Sequence, residues 1–292
     1  MEYLFQQGEI SKGTFRKGSH LKIMDSNGVQ CVEADLLDHH AIHEAMEGVD
    51  TVYNMASPMP DVDTDFMKIN TEGLLNLLEV ATEVGVKTFI HLSTLDVYGS
   101  STEKITGSSS LKPVGEYQRA KSEAERVLFE SSKRSSLPRV VVVRPARAIG
   151  PRDTSLTIPL IRMIEAGKVV LPETRVMSFS HPRDIAQAMY RAATGGIGSG
   201  SVVLVKSFDT SPGALARGLT TSLGKHAEVR KEGLFSKSSL PPYTLRQLKA
   251  ALSIDAQPGW TELGFRPEFR LETTCDEIAK WVRKEPWAID AA

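Results

Sequence analysis

A tyrosine and a lysine lie one helical turn apart where packing alone would not put the lysine. Over 116–130 the chain reads EYQRAKSEAERVLFE. Tyr117, Ala120, Lys121, Ala124, Val127 and Leu128 fall at i, i+3, i+4, i+7, i+10 and i+11, the apolar stripe of an α-helix. Arg119, Glu123, Arg126 and Glu130 take the opposite face. Lysine is almost never fully buried unless paired. An ammonium beside a phenol favours the phenolate and lowers a pKa that is about 10 when unperturbed. Such a tyrosine can trade a proton with a substrate hydroxyl or carbonyl near neutral pH. The alternative is a lysine at the edge of the stripe, its stem packed and its head in water. The helix by itself leaves both open.

The elements that must hold this pair alternate. Apolar or β-branched runs occur near Val29–Glu33, Thr51–Met55, Thr88–Leu92 and Val140–Val143, with helical patterns at about 38–47, 64–84 and 116–134 between them. Strand–helix–strand alternation argues for an α/β fold with a parallel sheet covered on both faces. The four valines at 140–143 form the uninterrupted apolar run of a doubly covered strand. In the 64–84 helix, Asn70 shares the inward stripe with Leu74, Leu77 and Ala81. A buried amide needs a partner, either the backbone of its own helix or a ligand. Beyond about 150 the pattern loosens. Helices are expected at 156–166, 182–193, 212–223, 242–252 and 272–284, with a strand at Ser201–Val205 and a loop at Lys231–Pro242. This is read as a smaller, partly discontinuous lobe.

The totals narrow the classes. The 292 residues are 41% hydrophobic and 24% charged, within the soluble globular range. A net charge of −1 gives no electrostatic case for nucleic acid or an anionic membrane. No apolar run approaches the ~20 residues that span a bilayer, and the first residues lack a signal-peptide pattern. Two cysteines, Cys31 and Cys275, are too few for a disulfide framework, so a cytoplasmic location is the expectation.

Several ordered motifs resemble the extended short-chain dehydrogenase/reductase family, which includes sugar-nucleotide epimerases and dehydratases and 3β-hydroxysteroid-type dehydrogenases. GVQCVEADLLD (28–38), GVDTVYNMASP (48–58), INTEGLLNLLEVA (69–81), FIHLSTLDVYG (89–99), YQRAK (117–121), VVRPARAIGPRD (142–153) and GWTELGFRPEFRLE (259–272) are similar to its successive signatures. YxxxK alone is weak, whereas the ordered set over residues 1–285 is specific. The resemblance implies a Rossmann-like doubly wound parallel sheet over 1–150. Residues 151–292 would be mostly a substrate-binding lobe, with some segments returning to the core. It implies NADP or NAD as cofactor and a small-molecule substrate. Tyr117 would be the general acid/base, Lys121 would lower its pKa and hold the nicotinamide ribose, and Thr94 would hydrogen-bond the substrate oxygen, with Ser93 as second choice. Asp35 and Leu36 would border the adenine. Met55, Ala56 and Ser57 would line the pyrophosphate and ribose. Asn70 would lie on the cofactor side, and Pro145 and Ala146 beside the nicotinamide. Related enzymes often dimerise through the helices corresponding to 64–84 and 116–134.

The family's opening strand, Gly-rich turn and phosphate-binding helix start have no counterpart here. The first nineteen residues instead resemble the end of the first helix followed by the second strand, at about Ile10–Phe15. The expectation is a sheet short of its central strand, in a chain whose working form is longer. A strand of ~5–6 residues buries several side chains at ~1.5–3 kcal/mol each, so its loss is large against a domain stability of ~5–15 kcal/mol. Thr194-Gly-Gly-Ile-Gly-Ser-Gly200 imitates the missing turn in reversed context, following a helix and preceding a strand. Arg16 and Lys17 follow the second strand, where a basic residue accommodates the NADP 2′-phosphate. A preference for NADP is the expectation, with two solvated loop cations as the alternative.

Other patterns carry less. Asp61, Asp63, Asp65 and Glu72 match calcium-loop positions, but Phe66 stands where that loop needs glycine. His39, His40 and His43 read as a polar helix face, so no metal is expected. No Gly-x-Ser-x-Gly elbow supports hydrolase chemistry. Two functions compete: an NAD(P)-dependent oxidoreductase or epimerase acting on a hydroxyl- or carbonyl-bearing small molecule, with a nucleotide sugar as one candidate, and a non-catalytic binding protein of the same fold that lost its cofactor loop. Leu95 and Asp96 replace the acidic pair usual in dehydratases, which counts against dehydration.

Overall fold

Helices begin where the sequence offers acceptors for unpaired N–H groups. Asp38 caps a helix at His39–Met46 through Ala41 N, and Asp65 caps a longer one at Phe66–Glu83 through Lys68 N at 2.9 Å. The computed structural model describes residues 1–16, 29–57, 65–133, 138–172, 175–233 and 236–285. Lys17, Asp61 and Asp63 lie outside them. The element order is α1 (Glu2–Gln6), β1 (Lys12–Phe15), β2 (Gln30–Glu33), α2 (His39–Met46), β3 (Thr51–Asn54), α3 (Phe66–Glu83), β4 (Thr88–Leu92), α4 (Glu116–Ser131), β5 (Arg139–Pro145), β6 (Arg147–Ala148) and α5 (Thr157–Glu165). It continues with β7 (Lys168–Leu171), β8 (Met177–Ser180), α6 (Pro182–Thr194), β9 (Ser201–Val205), β10 (Phe208–Thr210), α7 (Pro212–Ser222), β11 (Glu228–Lys231), α8 (Pro242–Ala250), α9 (Gln257–Glu262) and α10 (Leu271–Lys284).

The chain divides into two units, one of Met1–Ser93, Pro113–Val143 and Ala186–Val203, the other of Thr94–Lys112, Arg144–Ile185 and Leu204–Ala292. The first carries two parallel ladders. β1 pairs with β2 (Lys12 opposite Gln30), and a four-stranded sheet has the order β3-β4-β5-β9. Among the described residues no strand pair joins the two ladders. The sheet expected from the sequence was a doubly wound parallel one short of its central strand, and the interruption falls between β1 and β3. Side chains of α2, α3 and α4 (Ile42, Leu74, Leu78, Ala124, Leu128) bury one core against Phe89, Val140 and Val142. Burying an apolar side chain of this size contributes about 1.5–3 kcal/mol.

The second unit holds a three-stranded sheet of order β10-β8-β6 and a parallel pair of β7 and β11. Its core is built by α5, α7 and α10 (Ile161, Leu215, Ile278). The short strands β6–β8, β10 and β11, and the helix α9, are missing from the sequence reading. Two to six residues hold too little periodicity to read. Among the described residues no helix is long and apolar enough to cross a membrane.

Candidate active site

The helix α4 opens with Gln118 Oε1 accepting hydrogen bonds from the backbone N–H of Val114 and of Gly115, which fixes its first turn. Tyr117 sits in that turn, half-buried, its ring edge-on to Phe66 with centroids 6.0 Å apart. One turn on, Lys121 is 2% exposed and donates from Nζ to the carbonyl of Leu92 at 3.2 Å. The lysine does not reach for water, so the edge-of-stripe alternative fails. Burial brings its ammonium down to about 8, with Glu125 pulling the other way. The residue is therefore poised to gain or lose charge near working pH.

Glu125 is the third residue of this line and is also buried. Its Oε1 accepts from the Ser93 hydroxyl. The Ser93 backbone N–H donates to Val143 at 2.8 Å, tying the end of β4 to β5. Ser93 thus has its hydroxyl proton committed inside the fold, which weakens it as a substrate ligand.

Below this lies a second buried pair. Asn54 Oδ1 accepts from Ala56 N at 3.2 Å, which orients the amide so that Nδ2 donates to His91 Nδ1, also at 3.2 Å. Nδ1 accepts, so the ring proton is on Nε2. Burial, and then the nearby Lys121, hold the imidazole well below its usual pKa, so it is neutral at pH 7. Nε2 is buried with no hydrogen-bond partner among the described residues.

Thr94 belongs to the second unit. Its Oγ1 accepts from Asp96 N at 3.2 Å and caps a short 3₁₀ turn over Leu95–Tyr98. Asp96 is buried, and its Oδ2 accepts from Tyr243 Oη and Gln247 Nε2, each at 2.5 Å. Burial raises its pKa against those hydrogen bonds. Arg144 donates to Tyr98 Oη at 2.6 Å. Gly99 follows with φ +71°, and a Cβ there would run into the Lys112 carbonyl oxygen, so only glycine fits. Pro145 ends β5, and Ala146 N donates to Val205 O at 2.8 Å.

The residues expected at the nucleotide lie at the carboxyl ends of their strands, where parallel sheets bind ligands. Arg16 follows β1 and is exposed. Asp35 follows β2 and accepts from Leu37 N at 2.9 Å, forming a tight turn. Leu36 packs under Gly73, and its carbonyl accepts from Asn76 at 2.7 Å. Met55, half-exposed, and Ala56 follow β3, with half-buried Ser57 next. Asn70 takes the backbone alternative: its Nδ2 donates to Phe66 O at 2.9 Å. These are the residues expected beside a dinucleotide. For its diphosphate, no strand–Gly turn–helix stands among the described residues. The 194–200 glycines join α6 to β9, in the reversed order read from sequence.

Glu125, His91 and Asn54 are the residues that sequence reasoning passed over. Glu125 stands at Lys121 + 4, on the same stripe, and that spacing was the available signal. Two other features involve none of these residues. His39, read as part of a polar face, meets Glu79 and Glu83 of α3 with donor atoms within 4.8 Å, all three exposed. A cavity of about 550 Å³ in the second unit is lined by Arg162, Met163, Lys168 and Pro241, and by none of the candidate residues.

A model of the NAD dependent epimerase/dehydratase family matches residues 2–204. The chain belongs to that family. It is 27% identical over 192 residues to a 3beta-hydroxysteroid-dehydrogenase/decarboxylase isoform 2 of Arabidopsis thaliana, an alignment covering 62% of this chain and 34% of that one. The chain thus spans about a third of that relative's length. Its fold is similar to that of UDP-glucose 4-epimerase from Thermotoga maritima, with a TM-score of 0.82 and 20% identity over 97% of this chain and 94% of that one. It is also similar to dTDP-glucose 4,6-dehydratase DesIV of Streptomyces venezuelae, with a TM-score of 0.80 and 20% identity over 97% and 93%. At these identities the two structures speak for the Rossmann-like fold.

Proposed function

We propose that this protein is an NAD(P)-dependent oxidoreductase or epimerase acting on a hydroxyl- or carbonyl-bearing small molecule. The observation that carries the reading is Lys121, a wholly buried ammonium one turn from Tyr117, held on a strand-end carbonyl instead of in water. A lysine desolvated to that degree costs stability, and proton transfer at the neighbouring phenol is the return. Bound nicotinamide would supply the acceptor or donor of hydride. Tyr117 takes or gives the hydroxyl proton of the substrate. Lys121 keeps the phenolate accessible and holds the nicotinamide ribose. Asp35 and Leu36 border the adenine.

Arg16 accommodates the 2′-phosphate of NADP in preference to NAD. Asp96 has its carboxylate taken by Tyr243 and Gln247, which favours dehydrogenation or epimerisation over dehydration. Nucleotide sugars and sterols, named in the relatives, are the substrate classes to screen first. A homodimer would form through the outer faces of α3 and α4, where Met67 and Leu75 are exposed. Replacing Tyr117 by Phe removes one oxygen and tests the reading. Turnover should fall by about 10²–10⁴-fold with nucleotide affinity preserved, and unchanged turnover overturns it. The second reading is a binding protein of the same fold. It predicts partner binding indifferent to Tyr117→Phe.

A further inference from the structure

We propose that Glu125 is a positioning residue for Lys121: its carboxylate keeps the buried ammonium charged and fixes its height on the helix beside Tyr117. The inference rests on the reading of Tyr117 and Lys121 as a proton-transfer pair and deepens it.

Tyr117, Lys121 and Glu125 stand at i, i+4 and i+8, so they line one edge of α4. Lys121 and Glu125 grip consecutive residues at the end of β4, Lys121 through the carbonyl of Leu92 and Glu125 through the hydroxyl of Ser93. Ser93 is in turn tied to Val143. Two turns of helix are thereby pinned to one strand end, which sets how far Tyr117 projects beyond it. Glu125 is 1% exposed. A carboxylate so buried needs an opposite charge or donors, and it has both here.

Among the described residues, Glu125 is also the acidic side chain of the charged and polar groups that face Lys121. Tyr117 shares its helix, and His91 of β4 is neutral. The buried face of α3 offers Asn70 and no ionisable group, β3 offers Asn54, and β5 offers valines. Without Glu125 the Leu92 carbonyl alone, among the described contacts, opposes the desolvation of Lys121. A neutral amine cannot stabilise a phenolate.

The test separates charge from shape. Glu125→Gln keeps the length and the acceptor for Ser93 but loses the charge, whereas Glu125→Asp keeps the charge at greater distance. Lys121 is titrated by NMR of ¹³Cε-labelled lysine in the full chain, with Lys121→Arg assigning its resonance. The expected order of midpoints is wild type, then Asp, then Gln, with Gln lower than wild type by roughly one pH unit. The alkaline limb of the turnover profile should fall in step, with KM little changed. A Gln midpoint equal to the wild-type value in a folded sample overturns the proposal. If Gln does not fold, an Asp midpoint at or above the wild type does the same. The titration needs no substrate. A shifted midpoint in a protein that turns over no hydroxy compound would leave the hold on Lys121 standing and remove the oxidoreductase reading.

Discussion

Within the first unit, β4 and β5 differ sharply from β1, β2 and β3. Phe89, Ile90 and Val140–Val143 are fully buried, while Cys31, Val32, Val52 and Tyr53 are only half so. Both groups are parallel strands of similar composition. The difference follows from their neighbours: β4 is paired on both sides, whereas β1 and β3 each face an edge with no described partner. The proposed proton-transfer pair, Tyr117 and Lys121, lies on α4, with Lys121 bonded to the end of sealed β4. The residues proposed for the nucleotide, Arg16, Asp35, Met55 and Ala56, follow the half-open strands. On the proposed function, proton transfer falls beside the sealed strands and cofactor capture beside the half-open ones.

That contrast can be broken by experiment. The largest expected effect is Tyr117→Phe, with turnover down about 10²–10⁴-fold and the unfolding midpoint unchanged, because the sealed half does not need the phenol to fold. Next, Phe89→Ala should cost about 3–5 kcal/mol in denaturant unfolding, while Val32→Ala should cost about 1 kcal/mol. Similar values for the two would erase the distinction. Amide exchange gives the same comparison without mutation: β4 and β5 should exchange near the global limit, with β1 and β2 faster by an order of magnitude or more.

Stability should also fall on the acid side. His181 is stacked on Phe269 at 3.6 Å, and its pKa is lowered to about 4 by burial, aided by Arg183. The unfolded chain takes up that proton first, so stability present above about pH 6.5 is lost between about 6.5 and 4. His91 acts in the same direction. In a pH series of thermal midpoints, His181→Gln should flatten part of that decline.

Much of this was legible in the sequence because the signals were long or ordered. Thr88–Leu92 and Ser201–Val205 are strands as read, and the amphipathic stripes place α3 and α4 within two or three residues. Tyr117 and Lys121 were found because a lysine in an apolar stripe violates the burial rule. Glu125 breaks the same rule one turn later. In the sequence it is masked by the glutamates at 123 and 130 of the solvated face. His91 escaped because one polar residue in a β-run reads as alternation. Its burial becomes apparent only when Asn54 and Lys121 close around it. The short strands of the second unit are set by tertiary pairing, and two to four residues carry no pattern.

The smallest effect concerns Arg16, whose replacement by Glu should weaken NADPH binding by about tenfold or less, as one exposed ion pair allows, and leave NADH binding unchanged. The central claim is that a dinucleotide docks beside Lys121. The most direct measurement is a nicotinamide-fluorescence titration of the folded chain and of its Lys121→Met variant with NADPH and NADH. The account predicts saturable binding by the wild type, tighter for NADPH and weakened in the variant. Absence of saturable binding by a folded wild-type sample, or binding indifferent to Lys121, would contradict it.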